Sequence, residues 1–370
     1  MRLIAVHPSL GSRRLTKIAI DGIYLFLKAH RKSHNKVQIW KVNTLVPSDW
    51  ECIFELQLKE LIYSIPAYDY KEKVIFLLVA AVFENEENFR ITLFRIDDEK
   101  REEWSIIDEN GEIWQVPLEN VAMGVGGKEM STNSRPTLHL YDRSIVQGPI
   151  PFWYLHLTKT NFYLEKRFLE DIEDVKCHRF AFCLDGDSRR FARLREDNGI
   201  AVYDGEAERW VHYEQDADSD FDLHILSAVN DLRETFGRAG RRVAAVESPL
   251  TIHTDAGICV AKRVTSNSIH EFYRIDFDHQ RRSYSLRSRG AANLKEVATM
   301  YYVLVSEELA AVVGLSCVAI IPLQPPPLSH LAVWAVQKET ANRDERGALH
   351  DGLTYPQIHH LLTNLANLSI

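Results

Sequence analysis

The sequence predicts a mixed α+β fold: an N-terminal β-α-β module with β-hairpins, a central α+β region and a small helical C-terminal module. Three observations lead there. Charge sorts helically between Arg13 and Lys32, composition turns to strand after Val74, and a proline break at 323–328 precedes apolar residues at helical spacing. The chain has 370 residues, 45% of them apolar and 26% charged. That is enough for a sizeable core and, at about 150 residues per domain, for two or three units. The expected divisions are 1–122, 137–322 and 328–370.

Residues 3–6 are a short apolar run suited to a strand, and Pro8 to Ser12 make a turn. From Arg13 to about His34 a helical wheel gathers Arg13, Arg14, Lys17, Lys28, Arg31 and Lys32 on one arc. Leu15, Ile18, Ala19, Ile23, Phe26, Leu27 and Ala29 fill the rest, so a helix docked by its apolar side with a basic ridge outward is expected. Val37–Val42 returns to strand composition. Asp49–Ser64 reads as a further helix closed by Pro66, and Val74–Phe83 is apolar on every side, compatible with a buried helix or strand. Phe89–Ile96, Glu103–Ile107 and Glu112–Val116 read as strands, with Asn110-Gly111 as a tight turn.

Gly- and Ser-containing residues 122–136 mark a boundary. Beyond it, helices are expected at Phe162–Val175, Arg189–Glu196 and Phe221–Phe236, with strands at Arg179–Leu184 and Ile200–Tyr203 and short strands across 242–290. Acidic residues from Glu214 to Asp222 read as a solvated loop. After the prolines, Leu331–Lys338 forms one helix and Thr354 caps another, on which Ile358, Leu361, Leu362 and Leu365 share an apolar face. That face suits the module's own core or a docking partner. The tetrads Phe94-Arg-Ile-Asp, Phe182-Cys-Leu-Asp and Tyr273-Arg-Ile-Asp recur about 90 residues apart.

Charge is segregated along the chain. The first 47 residues hold nine Lys/Arg against Asp21 alone, giving +8, which leaves −16 on the rest of a chain whose net charge is −8. A surface for an anionic partner follows, whether nucleic acid or an acidic protein. Five widely spaced cysteines without a CxxC pair indicate reduced thiols. No apolar run reaches membrane-spanning length and the N-terminus lacks a secretory h-region, so a soluble, cytoplasmic protein without membrane contact is expected.

Chemistry-bearing motifs are sparse. Gly124 to Lys128 fails as a phosphate loop, because Glu129 stands where Ser or Thr is needed. His30 and His34 are surrounded by cations, and His359 and His360 point apart on a helix, so neither pair suits a metal. Asp185-Gly-Asp187 closes an apolar strand, where two carboxylates at i, i+2 share a side and can hold Mg²⁺. The segment Phe180-Ala-Phe-Cys-Leu-Asp-Gly-Asp-Ser-Arg-Arg-Phe-Ala-Arg-Leu resembles the DxD element of the Toprim fold of primases, topoisomerases and some nucleases. That resemblance covers about fifteen residues and implies an upstream Glu on a strand. Glu247 has the right setting but follows Asp187, and a second pair, Asp276-Phe-Asp278, follows Glu247.

The expectation is therefore a non-enzymatic binding or scaffold subunit of a larger assembly. It would need no cofactor and would engage an anionic partner through the basic helix and a protein through the C-terminal helix. The alternative is a Mg²⁺-dependent nuclease or phosphotransfer enzyme built on Asp185, Asp187, Glu247, Asp276 and Asp278. Composition and spacing leave the oligomeric state open.

Overall fold

The computed structural model describes residues 2–10, 14–31, 35–46, 49–84, 86, 89–97, 100–106, 121–125, 138–142, 150–169, 177–183, 191–195, 199–204, 209–220, 250–255, 258–264, 269–294, 297, 300–306, 308–314 and 317–324. Within them the chain is almost wholly β: the one helical element is a 3-10 turn at Pro8–Leu10. The α+β expectation is thus overturned.

The strands fall into six antiparallel units of four. The first is β2 (Arg14–Asp21), β3 (Tyr24–Arg31), β4 (Lys36–Asn43) and the start of β5 (Trp50–Asp69), whose later part begins the second unit. With it go β6 (Val74–Phe83), β7 (Phe89–Ile96) and β8 (Arg101–Ile106). The third unit is β9 (Val121–Val125), β10 (Leu138–Asp142), β11 (Ile150–Leu157) and β12 (Asn161–Leu169). The fourth is β13 (Cys177–Cys183), β14 (Phe191–Arg195), β15 (Ile200–Asp204) and β16 (Arg209–Gln215). The fifth is β17 (Leu250–Asp255), β18 (Ile258–Val264), β19 (Ile269–Asp278) and β20 (Ser283–Asn293). The sixth joins β21 (Met300–Val305), β22 (Leu309–Gly314) and β23 (Cys317–Pro322) to the N-terminal strand β1 (Arg2–Ala5), with Ala5 opposite Cys317.

The apolar side chains show how these units stack. Along β6, Ile75, Leu77, Val79 and Ala81 pack toward the first unit, while Phe76, Leu78 and Ala80 pack toward the third. Along β22, Leu309, Ala311 and Val313 meet the first unit, and Ala310 and Val312 meet the fifth. Alternate residues of one strand thus enter two different cores, which requires a neighbouring sheet on each face. The first strands of successive units also touch, β13 with β17, β17 with β21, β21 with β2, β2 with β5 and β5 with β9. Four-stranded units packed face to face, their first strands innermost and the last unit closed by the N-terminal strand, are the blades of a β-propeller.

This architecture explains why the expected basic helix is a hairpin. β2 and β3 meet through Gly22 and Ile23, and Gly22 takes φ 55, a conformation glycine adopts without a Cβ penalty. The register sets Thr16 opposite Lys28 and Lys17 opposite Leu27, so Lys17 and Lys28 take opposite faces and the ridge is divided. Lys28 is buried, its amine donating to the carbonyl and, at 2.9 Å, to the hydroxyl of Ser64 on the next blade. A second tie runs from Asp21, whose carboxylate accepts from Tyr68 Oη at 2.8 Å and pairs with Lys73 at 2.5 Å.

The helix expected at 49–64 is the long strand β5, where buried and exposed residues alternate from Phe54 to Lys59. The one starting at Phe162 is β12, and that at Arg189–Glu196 contains β14. The C-terminal helices and the helix at 221–236 lie outside the described residues.

The rejected phosphate loop contributes Gly124 to β9, opposite His139 of β10. A Cβ built on Gly124 would stand 2.3 Å from His139 Cε1, so only glycine admits the buried imidazole. Burial lowers the His139 pKa to about 4. The unfolded chain protonates this histidine below its ordinary 6.5 while the folded chain holds it neutral to about 4, so the unfolded state binds more protons in that window. Stability is fully present above 6.5 and falls by up to about 3 kcal/mol on approach to pH 4. Urea unfolding at pH 7 and pH 4.5 should show this slope flattened in His139→Leu.

Candidate interaction surface

Among the described residues, the expected basic ridge is divided between two strands. Arg14 begins β2 and Arg31 ends β3, while Lys17 and Lys28 sit on opposite faces and Lys28 is spent on Ser64. Arg13, Lys32, Asp185, Asp187 and Glu247 lie outside the described residues, as do Ile358, Leu361, Leu362 and Leu365.

Asp276 and Asp278 are in place on β19 but committed locally. Asp276 accepts from Arg274 Nε at 2.7 Å. Asp278 Oδ1 accepts the backbone N–H groups of Gln280 and Arg281, both at 2.9 Å, and Arg282 closes the turn at φ 53. Asp69 does the same for Lys71 and Glu72, with Lys73 at φ 59. Both are aspartate-capped hairpin turns. Among the described residues no three His, Cys, Asp or Glu side chains gather around a common metal position, and no helix is long and apolar enough to cross a membrane.

One outer strand is unusual. Large apolar side chains stand exposed at four described positions, Ile62, Tyr163, Phe168 and Ile269, and two of these belong to β12. β12 is the outermost strand of its blade, so its period of two presents residues on both faces. On one face His156 of β11 stacks on Tyr163 with ring centroids 4.8 Å apart and planes 16° apart. His156 Nε2 and Arg167 Nε each donate to Glu165 at 2.8 Å. The hydrogen bond from Arg167 and then that from His156 outweigh partial burial and hold the Glu165 carboxyl below its ordinary range. Arg167 also lies over Tyr154, 4.9 Å from its ring centre.

On the other face Lys166 Nζ lies 5.3 Å from the Phe168 ring centre and 5.8 Å from that of Trp153. Trp153 is buried in the core between blades two and three and Phe168 is 58% exposed, so the ammonium rests on an aromatic bed that begins in the core and ends in solvent. The neighbouring turn, held by Thr158 and Asn161, adds exposed Lys159. Glu165 is already answered by two partners, so this hairpin displays surplus positive charge beside exposed aromatic area. Sequence reading took this segment for a helix, and the clue it offered was the odd-even sorting of Tyr163, Glu165 and Arg167 against Phe162, Leu164 and Phe168.

No family model and no curated protein matches this chain. Among solved structures, the WD40 domain of SCAP from fission yeast aligns over 84% of this chain and 74% of its own, with 11% identity and a TM-score of 0.29. A prolyl endopeptidase aligns over 85% of this chain with 8% identity and a TM-score of 0.37, and the alignment spans 43% of the endopeptidase's length. At those scores neither superposition carries the fold, which rests on strand order and blade-to-blade packing.

Proposed function

We propose that this chain is a non-enzymatic protein-interaction scaffold, a propeller whose rim presents the β11–β12 hairpin to a protein partner. The carrying observation is the exposed, pre-positioned set of Tyr163, Lys166 and Phe168. Aromatic side chains are enriched at protein interfaces because they remove large area from water at small entropic cost. Here Lys166 is already steered by its two rings. The reading needs no cofactor.

Replacing Phe168 with the photo-crosslinker p-benzoylphenylalanine tests it. Irradiation in cell extract should yield discrete protein adducts that disappear when Lys166→Glu is added, while the same crosslinker at exposed Lys71 yields none of them. Identical adduct patterns from both positions would overturn the reading.

A further inference from the structure

We infer that Asp216–Asp220 is a strap that closes the outer edge of β20 against pairing with a second copy of this chain. An outermost strand leaves one row of backbone N–H and C=O groups without a strand neighbour, and such a row pairs readily with another chain. β20 is paired with β19 along its inner side, and its outward row runs from Arg282 through Tyr284 and Leu286 to Ser288. The same chain answers each of these residues. Glu214 N–H donates to the Arg282 carbonyl at 3.0 Å, Asp216 N–H to that of Tyr284 at 2.8 Å, and Asp220 N–H to that of Leu286 at 2.8 Å. Between the last two the segment turns, with Ser219 N–H donating to the Asp216 carbonyl at 3.1 Å. Side-chain oxygens therefore stand where a neighbouring strand would offer carbonyls: Ser219 Oγ accepts from Leu286 N–H at 3.2 Å and Asp220 Oδ2 from Ser288 N–H at 2.7 Å. Arg287 holds the turn from the strand side, donating to the Asp218 carbonyl at 2.9 Å.

The strap stops where the flat edge stops. Tyr273 lies opposite Ser288 but Phe272 lies opposite Gly290, which leaves Arg289 as the extra residue of a bulge, and Gly290 takes φ 140. A bulge bends its strand and increases the local twist, so beyond Ser288 the edge turns away from any straight partner. Strap and bulge together account for β20 from Arg282 to Gly290. The acidic run expected as a solvated loop is thus hydrogen-bonded along the strand at 216–220, and its carboxylates are used singly: Asp216 Oδ1 accepts from Asp218 N–H at 3.2 Å, while Asp220 serves Ser288. A second copy is the occupant a bared edge would take, because it presents the same alternating donors and acceptors, and a two-fold contact satisfies both rows at once.

The test combines hydrogen exchange at Leu286 and Ser288 with sedimentation velocity over a concentration series, both on the full chain. In the double variant Ser219→Ala, Asp220→Ala both amides should exchange about tenfold faster, and the chain should associate as concentration rises. Ser219→Ala alone deletes one hydroxyl and should speed exchange at Leu286 but not at Ser288. Two controls separate hydrogen bonding from charge. Asp220→Asn keeps an oxygen for Ser288, and Asp218→Ala removes a carboxylate from a residue that meets β20 through its carbonyl, so both should stay monomeric. A double variant that remains monomeric, or whose two amides exchange at the parent rate, would overturn the inference. So would association of either control to the extent of the double variant, since charge alone would then keep the chains apart.

Discussion

Lys28→Glu should destabilise the protein by about 3–5 kcal/mol, the range seen when a buried polar contact is broken and a charge is left facing the wrong partner. The position is 7% exposed, and the native amine donates to both the carbonyl and the hydroxyl of Ser64. A carboxylate there could still accept from the hydroxyl but would face the carbonyl oxygen, and burial of its own stem leaves it poorly hydrated. Lys28→Met keeps the aliphatic stem and removes the donor from the carbonyl and hydroxyl of Ser64 without adding a charge, so its cost should be about 1–2 kcal/mol. Lys166→Glu, on the surface, should change stability by less than about 0.5 kcal/mol. Urea midpoints of the three variants give the ranking. Equal midpoints for Lys28→Glu and Lys166→Glu would show that Lys28 is not the inter-blade tie described above. The same result bears on the basic arc read from sequence, because a binding loss in a Lys28 charge reversal would report unfolding.

Several strands were legible because their residues allow little else. Phe89–Ile96 was read with the bounds of β7, and Val37–Val42 falls within β4. The N-terminal helix failed for a specific reason: Arg14, Lys17, Lys28 and Arg31 fit one arc of a helix as well as they fit two strands, and the turn at Gly22 decides between them. Blades hide their own signal. A strand covered on both faces loses the polar alternation that marks a half-buried strand, which is why the residues of β6 suit a buried helix as well as a strand. The recurring tetrads were partly informative: Phe94-Arg-Ile-Asp and Tyr273-Arg-Ile-Asp both begin on the third strand of their blades, and in each the Arg pairs with the Asp two residues on. Phe182 instead belongs to a first strand. The interaction surface was missed because its meaning depends on β12 being outermost, a property of sheet order with no local residue pattern.

The pairing of β1 with β23 has no local signal either, and it yields the sharpest test of the architecture. Ala5 lies directly opposite Cys317, a partly accessible cysteine. Directly opposed residues of antiparallel strands hold their Cα atoms about 4.5–5.5 Å apart, inside the span a disulfide bridges. Ala5→Cys should therefore form one intramolecular disulfide with Cys317 under mild oxidation. The bond would close a loop of about 310 residues, for which the chain-entropy relation gives about 6 kcal/mol of stabilisation, to be set against any strain in the bridged strands. Leu3→Cys, one step of the same parity away and opposite Ala319, should stay a free thiol. A non-reducing peptide map and thermal unfolding with and without reductant measure both effects. Two free thiols in Ala5→Cys would mean that the N-terminal strand does not close the last blade. A bond with a raised midpoint would establish closure across nearly the whole chain, because in an open array of blades nothing holds residue 5 beside residue 317.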